Sequence, residues 1–308
     1  MAKIFIDGSA GTTGLRIAQR LEQRDDIELI RLSEEMRKDP SARKQAINEA
    51  EIAFLCLPDA AAREAVSLCE NPDTVLIDTY TAHRTNDDWA YGLPELSVAA
   101  EAKIKASKRI AVPGCHASGF IALVFPLIEA GILFKEAKLS CFSLTGYSGG
   151  GKKMIAEYED KNRSPLFSTP RQYGLSQTHK HLPEMRKIAG ISDDPAFCPI
   201  VADFYSGMEV TVPLFASDLK GTAGDIKKIY KEKYNGPIVR YAENPYEEGL
   251  AAAGKLSGLD SMEVSVTGND DRVLLMARYD NLGKGASGAA IECMNLKLGT
   301  DITKGLVL

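Results

Sequence analysis

The most reactive side chain in the sequence lies in residues 112–119, Val-Pro-Gly-Cys-His-Ala-Ser-Gly. Residues 109–112 are typical of a short strand, and an apolar helical run begins at Phe120. This order predicts that Cys115 lies at a helix N-terminus above the carboxyl edge of a parallel sheet, where doubly wound folds bind ligands. The helix dipole and the N–H groups of the first turn favour the thiolate, which is the nucleophilic form of cysteine. Cys115 is therefore the candidate nucleophile.

The other cysteines and histidines are weaker candidates. Burial in apolar or helical segments is expected for Cys56, Cys69, Cys141, Cys198 and Cys293. No C-x-x-C pair or zinc-type spacing occurs, so we expect no metal site. Six scattered thiols in 308 residues are typical of a reducing cytoplasm rather than of a disulfide framework. His116 is expected to point away from the site, and His83 is weaker still.

Residues 179–184, His-Lys-His-Leu-Pro-Glu, supply the candidate acid and base. The residue before Pro183 favours extended backbone, in which His179 and His181 would face the same side. Pro183 can open a helix that carries Glu184 in its first turn, where the carboxylate could orient an imidazole. Either histidine could move the proton. His181 is preferred because it is closer to Glu184.

A glycine-rich turn with the spacing G-x-x-G-x-x-G lies between the first predicted strand and the first predicted helix. Glycines at these positions let the backbone turn tightly and approach a pyrophosphate, which the helix N-terminus then faces. The predicted cofactor-binding residues in this turn are Gly8, Gly11, Thr12, Thr13 and Gly14.

The end of the second predicted strand, residues 27–32, bears on the choice between NAD and NADP. An acidic residue there binds the ribose 2′-hydroxyl, whereas basic or small residues leave room for a 2′-phosphate. Ser33 can donate to a phosphate and Arg37 can pair with it, although Glu34 and Glu35 lie between them. We predict NADP (NADPH) and keep NAD as the alternative.

A nicotinamide cofactor and a nucleophilic cysteine together indicate one type of reaction. The thiolate attacks an activated acyl group to give a thioester, and hydride transfer reduces the thioester to an aldehyde. The reverse sequence oxidises an aldehyde. A general acid or base must manage the proton of the thiol and the oxygen of the adduct, and the histidine pair is the candidate for that role.

The elements that position these residues follow two patterns. Up to residue 112, short apolar strands alternate with helices, which predicts βαβ units and a doubly wound (Rossmann) α/β domain. The predicted strands here are residues 3–6, 27–32, 51–57, 74–78 and 109–112. After about residue 130, strand-like segments dominate, among them 138–145 and 204–215 and a hairpin formed by 263–267 and 272–279. These predict an α+β domain with a mixed or antiparallel sheet, followed by a last helix over 286–296.

Length and composition limit the class of protein. The chain of 308 residues, 44% of them hydrophobic and 26% charged, is long enough for two domains. A net charge of −5 lacks the basic surface that nucleic-acid binding needs. No apolar run has the length of about 18–20 residues that a membrane span requires, and we expect no secretory signal.

The chain resembles the N-acetyl-gamma-glutamyl-phosphate reductases of the shorter, type 2 form. Segments that match this family in order are residues 8–14, 78–84, 91–96, 113–115, 146–152, 179–184 and 280–286. Tyr-Gly-Leu-Pro-Glu-Leu at 91–96 and Asn-Leu-Gly-Lys-Gly at 281–285 are specific, whereas the glycine turn is not. The cysteine is followed by His-Ala-Ser here, where the longer type has Tyr-Pro-Thr. The resemblance covers essentially the whole chain.

The resemblance implies an NADPH-dependent oxidoreductase of arginine biosynthesis, an amino-acid biosynthetic pathway. Its reaction would convert N-acetyl-L-glutamyl 5-phosphate to N-acetyl-L-glutamate 5-semialdehyde and phosphate. The resemblance further implies that Cys115 forms the thioester, that the histidine pair is the acid and base, and that Arg84 binds the phosphate. The implied substrate-binding set is Arg84, Ser118, Ser148, Gly149 and Lys152. Asn281 and Gly283 would touch the nicotinamide end of the cofactor.

The family fold also implies a discontinuous cofactor domain, because its last helix packs back on the first domain. The expected NADP-binding Rossmann domain is residues 1–117 with 286–308, and the expected catalytic and dimerisation domain is residues 118–285. The expected partners are a small-molecule acyl phosphate and further copies of the chain in a homodimer or homotetramer. We expect neither nucleic acid nor a membrane as a partner.

Two alternatives remain open. An aspartate-semialdehyde dehydrogenase would use the same cysteine and histidine chemistry on another substrate. A non-catalytic NADP-binding protein could instead use Cys115 as a redox sensor. Assays with both semialdehydes separate the two enzymes, and substrate protection of Cys115 from iodoacetamide separates an enzyme from a sensor.

Overall fold

The computed structural model describes residues 1–308, which form two compact units. The first unit holds residues 1–114 and 286–306, and the second holds residues 115–285 with 307–308. The expected boundary at 117/118 falls inside the first turn of a helix that begins at Cys115. Cys115 therefore belongs to the second unit, because its helix packs there.

The first unit is a doubly wound α/β domain. Its elements in the first part of the chain are β1 (Ala2–Asp7), α1 (Thr12–Leu21), β2 (Ile27–Ile30), α2 (Pro40–Glu49), β3 (Ile52–Leu55), α3 (Asp59–Leu68), β4 (Val75–Asp78), β5 (Ala90–Tyr91), α4 (Val98–Ala106) and β6 (Arg109–Ala111). The six strands form a parallel sheet in the order β2-β1-β3-β4-β6-β5. The predicted α/β architecture is confirmed.

Apolar side chains alternate between two cores, one on each face of this sheet. Ile52 and Phe54 of β3 point into one core, and Ala53 and Leu55 point into the other. All four residues are fully buried, which explains why β3 reads as a continuous apolar run rather than as an alternating one. The parallel sheet is thus covered on both faces, and its carboxyl edge is left to bind ligands.

The second unit is an α+β domain with a mixed sheet. Its elements are α5 (Cys115–Glu129), β7 (Ser140–Gly146), α6 (Gly151–Glu159), β8 (Arg171–Gln172), α7 (Leu182–Ala189), β9 (Ala196–Ala202), β10 (Met208–Phe215), α8 (Ala223–Lys233), β11 (Val239–Tyr241), β12 (Met262–Gly268) and β13 (Arg272–Tyr279). The strand order is β11-β12-β13-β10-β7-β9-β8. The pairs β7–β9 and β11–β12 are parallel and the others antiparallel. The predicted hairpin, now β12 and β13, is confirmed.

Two element boundaries differ from the sequence-based ones. The long strand expected from residue 204 begins only at Met208, because Gly207 has a φ of +121° that breaks the extended backbone. The last helix, α9 (Gly288–Leu298), starts later than expected, after a π-helical turn over Gly283–Ser287. α9 belongs to the first unit.

Helix α5 carries Cys115 and is buried on nearly all sides. Pro126 lies inside it and has no N–H to offer the carbonyl of Ala122 four residues earlier. The hydroxyl of Tyr234 donates to that carbonyl at 2.6 Å, and the hydroxyl of Tyr230 donates to the carbonyl of Leu123. Hydroxyl groups from α8 and the residue after it therefore satisfy these two carbonyls of α5. No helix of the protein combines the length and the apolar character that a membrane crossing requires.

Candidate active site

The turn between β1 and α1 has the shape of a dinucleotide cradle. Gly8 has a φ of +88°, and a Cβ there would lie 2.3 Å from the carbonyl oxygen of Cys56. A Cβ on Gly14 would lie 2.5 Å from the carbonyl oxygen of Gly8. The backbone N–H of Gly11 donates to that same carbonyl at 3.0 Å. Only glycine fits at positions 8 and 14, so the tight turn requires both.

A cavity with a volume of about 760 Å³ opens beside this cradle. Gly11 is the N-cap of α1 and provides no side chain to cap the first N–H groups, and Thr12 and Thr13 form the first turn. The cradle, the open helix N-terminus and the size of the cavity fit the pyrophosphate and one nucleoside of a dinucleotide. Of the predicted residues of the turn, Gly8 and Gly11 line the cavity. Thr12, Thr13 and Gly14 are not among the lining residues and form the start of α1.

Basic side chains from the segment after β2 line the cavity. Arg31, Arg37 and Lys38 line it together with Glu34, which pairs with Arg37 at 3.0 Å. The predicted Ser33 is not among the lining residues, because its hydroxyl donates to Glu35 at 2.9 Å. Sequence reasoning missed Lys38, although it directly follows Arg37 in a 3₁₀ turn. Three of the cations that line the cavity thus come from the segment after β2.

A buried ion pair lies at the base of the cavity. The Nε of Arg43 in α2 donates to Oδ2 of Asp7, the last residue of β1, at 3.1 Å. A second bond of 2.9 Å joins Arg43 to Glu64 of α3. Burial raises the pKa of Asp7, although Arg43 acts in the opposite direction. These bonds fix α2 and α3 against the carboxyl end of β1.

Cys115 is the first residue of α5 and is partly buried. The hydroxyl of Tyr279 in β13 donates to the carbonyl of Cys115 at 2.6 Å and accepts from the N–H of Gly119 at 3.0 Å. It therefore stands inside the first turn of α5, between groups that an uninterrupted helix would bond to each other. Gly285 approaches closely, because a Cβ there would lie 3.1 Å from Cβ of Cys115. Both contacts fix the backbone of the nucleophile candidate.

Three histidines form one cluster in the second unit. The ring centroids of His179 and His181 are 4.7 Å apart. The ring centroid of His116 lies 5.8 Å from that of His179 and 5.5 Å from that of His181. His116 does not point away from the site as expected, because its ring is buried between Ser143 and Tyr173. Nδ1 of His116 lies 2.7 Å from the Ser143 hydroxyl, and Nε2 lies 2.7 Å from that of Tyr173.

The histidine pair and Glu184 come together at the start of α7. The predicted extended backbone before Pro183 is wrong: α7 begins at Leu182, and proline in a first turn loses no hydrogen bond. A turn instead joins the histidines, and the N–H of His181 donates to Nδ1 of His179 at 3.2 Å. Nε2 of His181 lies 4.0 Å from Oε1 of Glu184, and both side chains are buried. Protonating Nδ1 of His179 would cost a hydrogen bond, which favours His181 as the proton carrier.

The loop after β7 and the segment after β13 are joined by a side-chain amide. Asn281 donates to the hydroxyl of Ser148 at 3.0 Å and accepts from the N–H of Gly207 at 2.9 Å. A Cβ on Gly149 would lie 3.4 Å from the Asn281 amide nitrogen, and a Cβ on Gly283 would lie 2.0 Å from the carbonyl of Leu259. Asn281 thus orders the loop predicted to border the substrate.

The remaining predicted residues lie at three separate places. Ser118 is fully buried in α5, and Lys152 is exposed near the start of α6. Arg84 lies in the first unit, where its guanidinium donates to the carbonyls of Val112 at 2.9 Å and Thr79 at 3.3 Å. These bonds fix Arg84 against the segment that leads to Cys115.

Sequence reasoning missed Ser143, Tyr173 and Tyr279. No motif marks them, because each reaches the site from a strand or loop distant in sequence. His116 was visible as the neighbour of Cys115, and only the fold shows that its ring joins the histidine cluster.

Comparisons with known proteins place this arrangement in a family. The model "Semialdehyde dehydrogenase, NAD binding domain" matches residues 3–105, and "Semialdehyde dehydrogenase, dimerisation domain" matches residues 115–281. The chain belongs to the semialdehyde dehydrogenase family, and its first unit is the nicotinamide dinucleotide-binding domain.

Curated relatives narrow the comparison. N-acetyl-gamma-glutamyl-phosphate reductases from Brucella ovis and from Brucella suis biovar 1 are each 44% identical to this chain, covering 96% of it and 99% of the relative. The resemblance found in the sequence is thereby confirmed.

Solved structures share the fold at low identity. Aspartate semialdehyde dehydrogenase II from Vibrio cholerae, complexed with ASA, matches with a TM-score of 0.73 at 17% identity, over 97% of this chain and 98% of that one. Aspartate semialdehyde dehydrogenase from Francisella tularensis matches with a TM-score of 0.72 at 14% identity, over 96% and 99%. At such identities these structures are evidence for the fold alone.

Proposed function

We propose that this protein reduces N-acetyl-L-glutamyl 5-phosphate to N-acetyl-L-glutamate 5-semialdehyde with NADPH and releases phosphate, a step of arginine biosynthesis. The observation that carries the chemistry is Cys115 as the first residue of a buried helix, in a unit that also holds a histidine cluster. The name of the relatives supports the choice of substrate. A nucleophilic thiol must stay reduced, so the cytoplasm is the expected compartment.

Cys115 supplies the nucleophile of the proposed mechanism. Its thiolate attacks the acyl carbon, the new S–C bond forms, and the C–O bond to phosphate breaks so that phosphate leaves with the electron pair. A nicotinamide cofactor held in the first unit would supply the hydride that reduces the resulting thioester. Collapse of the thiohemiacetal then breaks the S–C bond, which releases the aldehyde and restores the thiolate.

The buried histidine cluster supplies the acid and base. We assign proton transfer at the oxygen of the adduct to His181, and we keep His179 as the alternative. Glu184, with an oxygen 4.0 Å from Nε2 of His181, stabilises the protonated imidazole by charge attraction.

The other site assignments rest on the resemblance. We assign Arg84 to the phosphate, because a guanidinium fork suits a phosphoryl group. The loop with Ser148, Gly149 and Lys152 and the helical Ser118 are assigned to the rest of the substrate. Asn281 and Gly283 are assigned to the nicotinamide end of the cofactor.

NADP is the proposed form of the cofactor. Arg31, Arg37 and Lys38 line the cavity, and a 2′-phosphate would pair with a cation of this set. Arg31 already pairs with Glu22 at 2.6 Å. Glu34 pairs with Arg37 at 3.0 Å and competes with that phosphate, so Lys38 is the better anchor. Steady-state rates with both coenzymes test this: NADPH should have the higher kcat/KM, and equal values would contradict it.

A homodimer is the proposed assembly, formed through the second unit. The register of the sheet places Phe142, Leu144, Ile200 and Leu274 on one face. The same register also places Glu209, Thr211 and Arg278 on this face. Phe142 is 43% exposed and Leu274 is 39% exposed, so apolar side chains on this face are open to a partner. Sedimentation of the wild type should give a dimer or a dimer of dimers, and Phe142→Glu should weaken it. A monomeric wild type would contradict the proposal.

Substitution of the nucleophile tests the proposed function. In the reverse direction, Cys115→Ser should lose nearly all phosphate-dependent reduction of NADP by N-acetyl-L-glutamate 5-semialdehyde. Cys69→Ser, which changes a cysteine of the first unit, is the matched control and should keep the activity. Near-normal activity of Cys115→Ser would refute the nucleophile, and faster turnover of aspartate semialdehyde would favour the alternative enzyme.

A further inference from the structure

His83 is held at the carboxyl edge of the parallel sheet by a buried aspartate. Asp78 is the last residue of β4 and is fully buried, and its Oδ2 lies 2.7 Å from Nδ1 of His83. Oδ1 of the same carboxylate accepts from the backbone N–H of Tyr80 at 2.9 Å. The indole of Trp89 stacks on the imidazole, with 4.0 Å between the ring centroids and 10° between the ring planes. These contacts fix the orientation of the imidazole.

The bond to Asp78 decides which ring nitrogen of His83 can exchange a proton with a ligand. An imidazole is a stronger base than a carboxylate, and an ionised carboxylate can only accept, so the proton of this bond belongs to Nδ1. Nε2 makes no hydrogen bond within the protein and is not sealed from solvent, although His83 is only 6% exposed. Since the two nitrogens point in diverging directions, Nε2 faces away from Asp78 and is the nitrogen open to a ligand.

The segment that holds His83 is ordered by bonds that do not involve its ring. Thr81 donates to the carboxylate of Asp59, at the start of α3, from its backbone N–H at 3.2 Å and from its hydroxyl at 2.6 Å. Arg63 of α3 donates to the carbonyl of Ala82 at 3.2 Å. A change of the His83 side chain should therefore leave the backbone of this segment in place.

The proposed reaction includes a proton transfer that the histidine pair does not account for. When the C–O bond of the acyl phosphate breaks, the oxygen takes the electron pair, and without a proton the leaving group would be a phosphate trianion. A general acid beside this oxygen lets it leave as hydrogen phosphate. Arg84, which we assign to the phosphate, directly follows His83 and is fixed at the same edge by its bonds to the carbonyls of Thr79 and Val112.

We propose that Nε2 of His83 is the proton donor to the leaving phosphate, and that Asp78 is a positioning residue that fixes the tautomer and orientation of the ring. The inference rests on the proposed function, in particular on the assignment of Arg84 to the phosphate. In the forward direction the proton on Nε2 passes to the oxygen as the C–O bond breaks, which leaves hydrogen phosphate and a neutral imidazole. In the reverse direction the neutral Nε2 takes the proton of hydrogen phosphate as its oxygen attacks the thioester and the thiolate leaves.

The test separates two steps of the reverse direction. Mixing the protein with NADP and N-acetyl-L-glutamate 5-semialdehyde without phosphate gives a burst of NADPH and an acyl group on Cys115, which added phosphate then removes. His83→Asn should leave the burst rate close to that of the wild type and slow the removal by phosphate about a hundredfold, as expected for the loss of a general acid or base. Equal losses in both steps, or removal at the wild-type rate, would overturn the proposal. A higher KM for phosphate with an unchanged maximal rate would also overturn it, because His83 would then bind phosphate without moving a proton.

Three further variants separate proton transfer from support of the fold. The amide introduced by His83→Asn can still donate to Asp78, whereas His83→Phe keeps only a ring that can stack on Trp89. Both variants lack Nε2 and should slow the phosphate step to a similar extent, and a wild-type rate in either would contradict the proposal. Asp78→Asn should slow the same step about tenfold and spare the burst. Arg63→Ala removes the bond to Ala82 and should keep both wild-type rates; if it slowed the phosphate step as much as His83→Asn, the order of the segment and not Nε2 would be the cause.

Folding and the proposed function are controlled separately. Urea unfolding shows which variants are native, and if His83→Phe does not fold, His83→Asn decides the test. The proposed function is checked on the wild type, where the absence of both the NADPH burst and an acyl group on Cys115 would refute it. A normal burst followed by normal removal by phosphate in His83→Asn would refute only the role of His83.

Discussion

The position of the Tyr279 hydroxyl in the first turn of α5 predicts that its removal lowers the catalytic rate. Tyr279→Phe removes the donor to the Cys115 carbonyl at 2.6 Å and the acceptor of the Gly119 N–H at 3.0 Å. Each buried hydrogen bond contributes about 1 kcal/mol, so the free energy of unfolding should fall by about 1–3 kcal/mol. The turn can then close on itself, which moves Cys115. We expect kcat to fall about tenfold or more with little change in KM, since misplacing a reacting group affects the transition state most.

A matched control isolates the position of the lost hydroxyl. Tyr230→Phe removes a hydroxyl that is also fully buried and also bonds a carbonyl of α5, that of Leu123. It removes one hydrogen bond where Tyr279→Phe removes two, so it should lower the free energy of unfolding by about 1 kcal/mol and leave kcat close to that of the wild type. Urea unfolding and steady-state kinetics measure both variants. Equal effects of the two substitutions on kcat would refute the claim that Tyr279 acts on the nucleophile.

Further predictions concern the cofactor and the histidines. Lys38→Ala should raise the KM for NADPH about tenfold and change the KM for NADH little. Arg37→Ala should have a smaller effect, because Glu34 already pairs with Arg37. Equal changes in KM for both coenzymes would count against a 2′-phosphate site. His181→Asn should lower kcat at least a hundredfold, and His179→Asn should lower it less. If stopped-flow kinetics show the larger loss for His179→Asn, His179 is the proton carrier. The unfolded His116 binds a proton near its ordinary pKa of 6.5 and the folded one only near 3, so stability should fall as pH drops through this interval. Chemical unfolding of His116→Gln should show a smaller fall, and an equal fall would mean that other groups cause it.

Local signals in the sequence predict the cofactor site and the nucleophile. Gly8 has a positive φ, and position 14 has no room for a Cβ. Both constraints arise within one short turn, so the glycines in the sequence are enough to predict it. The strand before Cys115 and the apolar helix after it are equally local. The parallel sheet is also predictable from local sequence, because buried strands such as β3 are continuous apolar runs.

Contacts between distant parts of the chain could not be predicted. Tyr279 reaches Cys115 from β13, and Ser143 reaches His116 from β7, so both contacts depend on the tertiary fold. The start of α7 shows a second limit. The preference of a residue before proline for extended backbone is overridden at Leu182, where the helix itself orders His181 and Glu184.

The most direct test of the account is the trapping of the acyl-enzyme. The protein is mixed with NADP and N-acetyl-L-glutamate 5-semialdehyde in the absence of phosphate, quenched in acid and digested. Mass spectrometry should find an N-acetylglutamyl thioester on the Cys115 peptide, and added phosphate should remove it. An acyl group on another residue, or none on Cys115 while NADPH forms, would contradict the central claim.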